Sequence, residues 1–305
     1  MSIAGVRETG SATKTGADLG QAWLDAQDTF RAPGGARMAF RVLGQGDRTP
    51  LLMLHGFPTW SFDYAELVGR IADRRILLPD FIGFGGSQKE GTGPFAIADQ
   101  AEAVLSLLDR TGIGRVHLLA HDYGTIVAQE LLRRGDHDRV ASLVLTNASI
   151  FYEAYRPTRL QTILPKPVIG PLVAATISAA KLRQGLDAVR GADHPLSDRA
   201  FDALWVGISR DRGHKRFRRQ LHYNAERDRH AESWERAMSD APMPKALIWG
   251  LQDPVSGAHI AHIAQTRMPE ARFYPMEAAG HFPQDEDPDL FARHLLAFLT
   301  EIETP

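Results

Sequence analysis

Short apolar runs alternate with helical patterns along most of the chain. Seven runs have the character of strands: ARMAFRVLG (36–44), LLMLHG (51–56), RRILLPD (74–80), VHLLAH (116–121), ASLVLTN (141–147), KALIWG (245–250) and ARFYPME (271–277). Between them, residues 61–72, 97–110, 124–134, 256–267 and 288–301 have the periodicity of amphipathic helices. The first run alternates and indicates an early antiparallel strand. The alternation of strands and helices predicts a mostly parallel sheet covered on both faces.

This alternation of strand and helix patterns stops after Asn147 and resumes at residue 245. Residues 149–236 contain proline and glycine breaks and charged helical stretches, without a clear strand pattern. We therefore predict a helical cap over 149–236, inserted into a core made of 31–148 and 237–305. Residues 1–30 are predicted to be an N-terminal extension that is partly mobile, chiefly over its first half. Such a cap would cover the carboxyl edge of the strands, where open α/β sheets bind ligands.

Composition narrows the classes of function. The 305 residues carry a net charge of −2, which gives no reason to expect nucleic acid as a partner. The absence of cysteine excludes disulfides, thiolate metal sites and a cysteine nucleophile. The histidines do not follow a zinc-binding pattern, and DFIGFGGS (80–87) lacks the lysine of a phosphate-binding loop, so we expect neither metal nor cofactor. With no signal peptide or membrane-spanning run in the sequence, we expect a soluble cytoplasmic protein that does not bind membranes, and the oligomeric state stays open.

One stretch has the form of a nucleophile turn. In LLAHDYGTIVAQE (118–130) an apolar strand meets Ala120, then Asp122, then Gly124, and a helical pattern follows. This is the G-x-S-x-G arrangement with aspartate in place of serine. The turn would hold Asp122 above the sheet as the nucleophile. The alternative is an aspartate that only caps the following helix.

Three other stretches complete a possible catalytic set. LHGFP (54–58) follows a buried strand, and a loop of this kind supplies one oxyanion-hole N–H, which assigns the backbone of Phe57 and, after the nucleophile, of Tyr123. Asp253, in GLQDP, and His281, in AAGHFPQDEDP, each follow a strand of their own. Alone, each could be an ordinary turn aspartate or loop histidine. The order nucleophile, acid, histidine favours a triad of Asp122, Asp253 and His281.

These motifs together resemble the α/β-hydrolase superfamily. HGFP, DFIGFGGS, HDYG, GLQDP and GHFPQDEDP occur in that family's order, from about residue 35 onward. The resemblance implies the α/β-hydrolase fold, with a mostly parallel eight-stranded sheet flanked by helices and an inserted helical cap. The aspartate nucleophile is similar to that of the epoxide hydrolase and haloalkane dehalogenase branch. HGFPTWSFDY and IFYEAYRP resemble the mesoderm-specific transcript protein-like hydrolases.

An aspartate nucleophile also restricts the reaction. Attack on a carboxylic ester would form an acid anhydride, whereas attack on saturated carbon forms an ordinary alkyl ester that water can hydrolyse. We therefore expect a small, largely apolar organic substrate and water as the reactants. The leading hypothesis is an epoxide hydrolase-like enzyme, and the alternative is a haloalkane dehalogenase. A third hypothesis is a non-catalytic or signalling member that binds a ligand under the cap.

The leaving group distinguishes the first two hypotheses. An epoxide oxygen needs an acid, and epoxide hydrolases use cap tyrosines for this purpose. The candidates are Tyr223, which best resembles such a tyrosine, and Tyr152 and Tyr155, which could equally be packing residues. A halide needs N–H donors, and Trp60 and Trp205 are the candidates for them.

Overall fold

The computed structural model describes residues 14–91 and 95–304. Its strands form one eight-stranded sheet in the order β1-β2-β4-β3-β5-β6-β7-β8. β1 and β2 are antiparallel to each other, and β2 is antiparallel to β4, whereas the remaining neighbours are parallel. The strands are β1 (Asp28–Arg31), β2 (Arg37–Leu43), β3 (Arg48–Leu54), β4 (Arg74–Asp80), β5 (Val116–His121), β6 (Val140–Thr146), β7 (Lys245–Gly250) and β8 (Arg272–Met276).

All seven predicted strands are confirmed, and they form the predicted mostly parallel sheet. The runs that read as buried form the central parallel strands, and every residue of β5 and β7 is buried. The strand that the sequence did not reveal is β1. It is four residues long and only Phe30 of it is buried, so it has too few positions for an alternating pattern to be recognised.

Helices cover both faces of this sheet. They are α1 (Gly16–Asp25), α2 (Ala65–Val68), α3 (Ile97–Arg110), α4 (Tyr123–Arg133), α5 (Arg159–Ile163), α6 (Ile169–Ala175), α7 (Ala179–Asp187), α8 (Asp198–Ser209), α9 (Phe217–Gln220), α10 (Tyr223–Ser239), α11 (Ala258–Arg267), α12 (Pro283–Glu286) and α13 (Pro288–Glu303). Four predicted helices agree with α3, α4, α11 and α13 to within a few residues. The fifth, predicted over 61–72, is a 3₁₀ turn at Ser61–Tyr64 followed by the short α2.

The described chain between β6 and β7 consists of helices and turns, α5 to α10. Its last helix, α10, continues past the predicted boundary at Arg236 to Ser239. We interpret this whole segment as the cap. Its position in the chain, after β6, places both of its ends at sheet strands rather than at a terminus.

The N-terminal part of the described chain packs against this segment. α1 begins at Gly16 with Thr15 as its N-cap, and it crosses α8 at close range. A Cβ atom at Gly20 would lie 2.4 Å from the carbonyl oxygen of Ala203, so only glycine allows this approach. The sheet begins at Asp28, because β1 pairs with β2, so its first strand starts inside the predicted extension. The mobility predicted for the first residues falls on 1–13, which lie outside the described residues.

An ionic cluster ties the C-terminal helix to the sheet. Glu303, at the end of α13, accepts hydrogen bonds from Arg74 at 2.8 Å and from His117 at 2.9 Å, and also from Arg48. The Arg74 side chain is only 1% exposed. Burial alone would raise the pKa of Glu303, but Arg74 and His117 outweigh it and lower the pKa to about 2. Among the described residues, no helix is long and apolar enough to cross a membrane.

Candidate active site

The turn between β5 and α4 holds Asp122 in a strained conformation. Its backbone has φ 45° and ψ −110°, a region that non-glycine residues rarely adopt. Strand and helix approach closely here, because a Cβ atom at Gly124 would lie 2.5 Å from the carbonyl oxygen of Leu54. The Asp122 side chain does not cap α4. Its carboxylate thus lies above the sheet and is not used to cap the helix.

Two backbone donors face this carboxylate. The N–H of Phe57 donates to Oδ1 of Asp122 at 2.8 Å, and the N–H of the next residue, Tyr123, is close enough to the carboxylate to act on its pKa. Both predicted oxyanion-hole residues therefore lie beside the Asp122 carboxylate. Burial nevertheless raises the pKa of Asp122, although His281 and the two N–H groups oppose the rise.

His281 lies on the other side of the carboxylate. Its Nε2 is 3.7 Å from Oδ2 of Asp122, and its Nδ1 is 2.7 Å from Oδ2 of Asp253. Burial disfavours the imidazolium, but the negative charges of Asp253 and Asp122 outweigh this effect and raise the pKa of His281 to about 9. Folding therefore brings these three residues within reach of one another, although Asp122 and His281 are more than 150 positions apart in the sequence.

Asp253 is held by a set of donors. Its Oδ2 accepts from Asn147 Nδ2 at 3.0 Å and from the Ser256 hydroxyl at 2.6 Å, and its Oδ1 accepts from the Val255 N–H at 2.7 Å. Burial alone would raise the pKa of Asp253, but the charge of His281 and the hydrogen bonds from His281, Ser256 and Asn147 hold it well below its usual range. Asp253 therefore stays ionised and fixes the orientation of the imidazole ring.

A cavity of about 860 Å³ opens above Asp122 and His281. Phe57 and Phe282 line the cavity together with these two side chains. Leu182 and Leu186 of α7 also line it. Most of the exposed lining is apolar, and the volume is within the range of small-molecule sites. The space is large enough for a small organic molecule in contact with Asp122 and His281.

A second, much smaller void of about 10 Å³ lies on another side of Asp122. It is lined by Tyr155, Tyr223 and Arg227, among others, and has room for roughly one oxygen atom. Tyr223 is buried, and its ring packs edge-on against Tyr123 at 5.2 Å between centroids. Burial raises the pKa of Tyr223 well above its usual value, and the neighbouring Tyr155 and the negative charge of Asp122 raise it further.

The other aromatic candidates lie elsewhere. The Tyr152 hydroxyl donates to Asp228, so it is occupied outside this void. Trp60 is fully buried, and its indole N–H donates to the carbonyl oxygen of Leu204 at 3.0 Å. Trp205 stacks on Phe201 and lines neither of the two spaces at Asp122. Local sequence could not reveal which partner each side chain meets, and a substrate-binding role for these three residues stays a prediction.

Sequence reasoning missed two residues of this site. Asn147 ends the run ASLVLTN, and its positive φ of 25° after a buried strand was not visible in the pattern. Arg227 lies four residues after Tyr223 on α10, so the two share one face of that helix. The surrounding run HKRFRRQLHYNAERDRH (214–230) is rich in charge, which made Arg227 indistinguishable from solvent-exposed arginines.

Comparison with known proteins agrees with this fold. Residues 49–288 match the family model described as alpha/beta hydrolase fold. The chain belongs to the α/β-hydrolase fold family. It is 32% identical over 262 residues to LipZ of Mycobacterium tuberculosis, which is named as a hydrolase, covering 85% of this chain and 91% of LipZ. This α/β-fold hydrolase is also 32% identical over 261 residues to the human mesoderm-specific transcript homolog protein, covering 82% and 78% of the two chains.

Solved structures of other proteins have a similar fold. The haloalkane dehalogenase DbeA from Bradyrhizobium elkani superposes with a TM-score of 0.76 at 22% identity, over 91% of this hydrolase and 98% of DbeA. At that identity the likeness concerns the fold, and a hydrolase of this fold acts on a small molecule and water.

Proposed function

We propose that this hydrolase opens epoxides through a covalent alkyl ester on Asp122. The observation that carries the proposal is the pairing of Asp122 with two cap phenols, Tyr155 and Tyr223, around a space that fits one oxygen atom. An epoxide oxygen leaves as an alkoxide tethered to the substrate, and it needs an acid at that place. The aspartate supplies the nucleophile and the tyrosines supply the proton.

In the first step, Oδ2 of Asp122 attacks an epoxide carbon. A carbon–oxygen bond forms to the carboxylate, and the carbon–oxygen bond of the strained ring breaks. The departing oxygen takes the proton of one phenol, which becomes a phenolate and later regains a proton from water. The Phe57 N–H holds Oδ1, so that Oδ2, which faces Nε2 of His281, is left for attack.

In the second step, His281 removes a proton from water, and the water oxygen attacks the carbonyl carbon of the ester. The oxyanion develops on Oδ1, where the two N–H groups stabilise it. The ester bond then breaks, the departing alkoxide takes the proton held by His281, Asp122 loses its proton to become a carboxylate again, and the diol leaves. Ester formation removes the charge of Asp122, one of the anions that keep His281 protonated. The first step therefore lowers the pKa of His281 and prepares it to act as the base.

The contacts of the tryptophans argue for epoxides over halides. The Trp60 N–H is already bonded to Leu204, and positions 57 and 123 hold phenylalanine and tyrosine, which lack side-chain N–H donors. A halide ion in this site would thus have no indole N–H donor to replace its lost hydration.

The His281→Gln variant tests the proposal. With styrene oxide, it should accumulate the ester, and intact mass should rise by the full mass of the epoxide. The double variant Asp122→Asn/His281→Gln is the control and should gain nothing. An adduct with bromoethane that lacks the mass of HBr, in the absence of any epoxide adduct, would favour dehalogenation. Ligand-induced thermal stabilisation that persists in Asp122→Ala, without any adduct, would favour a binding protein.

A further inference from the structure

Arg227 is a buried cation beside the proposed acid. Arg227 is only 2% exposed, and its guanidinium donates a hydrogen bond to the carbonyl oxygen of Ser149. The guanidinium carbon lies 4.6 Å from the ring centroid of Tyr155 and 5.1 Å from that of Tyr152. Arg227 also lines the small void that Asp122, Tyr155 and Tyr223 share.

This arginine makes no ion pair with a carboxylate within residues 14–91 and 95–304. The next residue, Asp228, instead accepts the hydroxyl of Tyr152. A buried charge without a counter-ion is costly, and arginine does not relieve the cost by losing its proton. The ionisable groups that share its void are Asp122 and three phenols, of Tyr123, Tyr155 and Tyr223. Negative charge on any of these four groups, present at rest or formed during the reaction, would therefore balance the charge of Arg227.

The phenol of Tyr155 is suited to acquire that charge. Its hydroxyl is buried without a hydrogen-bond partner of good geometry among the described residues. The guanidinium covers the face of its ring, where a cation is attracted by the ring electrons and attracted more strongly once the oxygen is negative. Tyr223 is close enough that each of the two phenols perturbs the pKa of the other.

The geometry points to Arg227 as a positioning residue that stabilises the phenolate formed on Tyr155 or Tyr223 when the epoxide oxygen takes its proton. This inference rests on the proposed function, because it concerns the same step. Asp122 attacks the carbon, the ring C–O bond breaks, the proton moves from phenol to alkoxide, and the resulting phenolate pairs with the guanidinium until water returns a proton. Arg227 touches neither the reacting carbon nor the proton.

The pKa values of the phenols support this role. Burial raises the pKa of Tyr155 to about 12, and Arg227 is the strongest of the groups that oppose the rise. Burial likewise raises the pKa of Tyr223, and Arg227 opposes that rise too. Without Arg227, both phenols would be weaker acids and poorer donors to an alkoxide.

The kinetic test compares Arg227→Gln and Arg227→Lys in the His281→Gln background, where the ester accumulates. The rate of adduct formation with styrene oxide should fall about tenfold in Arg227→Gln, a part of what a positioned general acid contributes. Arg227→Lys keeps the charge but not the guanidinium geometry and should recover part of the rate. Arg236→Gln removes an exposed charge from the same helix and is the matched control. An unchanged rate in Arg227→Gln, or equal losses in the Gln and Lys variants, would overturn the inference.

A second measurement does not depend on catalysis. Fluorotyrosine at position 155 or 223 reports the ionisation of that phenol by fluorine NMR. The titration should move to higher pH in Arg227→Gln and stay in place in Arg236→Gln, and titrations that do not move overturn the inference. If they move but no variant forms an adduct, the epoxide proposal fails while the coupling of Arg227 to the phenols stands. If adducts form at equal rates and the titrations do not move, the epoxide proposal stands and the role of Arg227 is refuted.

Discussion

Replacing Glu303 with glutamine tests whether the cluster at the end of α13 stabilises the fold through charge. The variant keeps the shape of the side chain but removes the negative charge that faces Arg74 and His117 at 2.8 and 2.9 Å. The Arg74 side chain, only 1% exposed, would then keep Asp73 as its carboxylate partner. We expect a lower free energy of unfolding at neutral pH.

The magnitude follows from the pKa. A fall of the Glu303 pKa from 4.5 to about 2 corresponds to about 3 kcal/mol, at roughly 1.4 kcal/mol per unit. The Glu303 side chain is 19% exposed, so solvent screens part of this interaction. We therefore expect a loss of about 1–2 kcal/mol at neutral pH.

The pH dependence has a definite sign. The folded-state pKa is lower than the unfolded-state value, so the contribution is complete above pH 4.5 and disappears as the pH falls through about 2. Urea unfolding at neutral pH and at about pH 4 should therefore give a smaller difference between wild type and Glu303→Gln at the acidic pH.

Glu301→Gln is the control for this experiment. Glu301 lies on the same helix and pairs with Arg272, but both side chains are about half exposed, at 47% and 59%. We expect little change in its free energy of unfolding. Equal losses in the two variants, or a loss in Glu303→Gln that does not depend on pH, would refute the reasoning.

Two further changes test packing and the support of the triad. Gly20→Ala should lower the free energy of unfolding by about 1–3 kcal/mol, because the new methyl group would meet the Ala203 carbonyl oxygen at 2.4 Å. Gly185→Ala, in α7 with nothing within 4 Å of the added Cβ, should instead raise it by about 0.5–1 kcal/mol; destabilisation of similar size in both would contradict the close approach of α1 and α8. Asn147→Ala removes a donor to Asp253 and should slow hydrolysis of the Asp122 ester roughly ten- to a hundredfold, while its formation changes little. Rapid-quench mass spectrometry separates the two steps, and an equal loss in both would argue for a general structural effect.

The sequence by itself determined the parts of this protein that depend on neighbouring residues. The strands β2 to β8, the turn at Asp122 and the loops that carry Asp253 and His281 each have a local signature of apolar periodicity and breaks. Their order along the chain was enough to predict the sheet, because parallel strands bring their carboxyl ends to one edge. Phe57 and Tyr123 followed from the same loops.

Only the tertiary structure decided what each cap side chain faces. The sequence favoured Tyr223 as a cap tyrosine but did not distinguish Tyr152 from Tyr155. In the folded chain Tyr155 and Tyr223 lie beside Asp122, whereas Tyr152 donates to Asp228. Arg227 looked like one surface arginine among many, and it is buried. Such outcomes depend on how helices from distant parts of the chain pack together, and local periodicity carries no information about the partner that a helix face will meet.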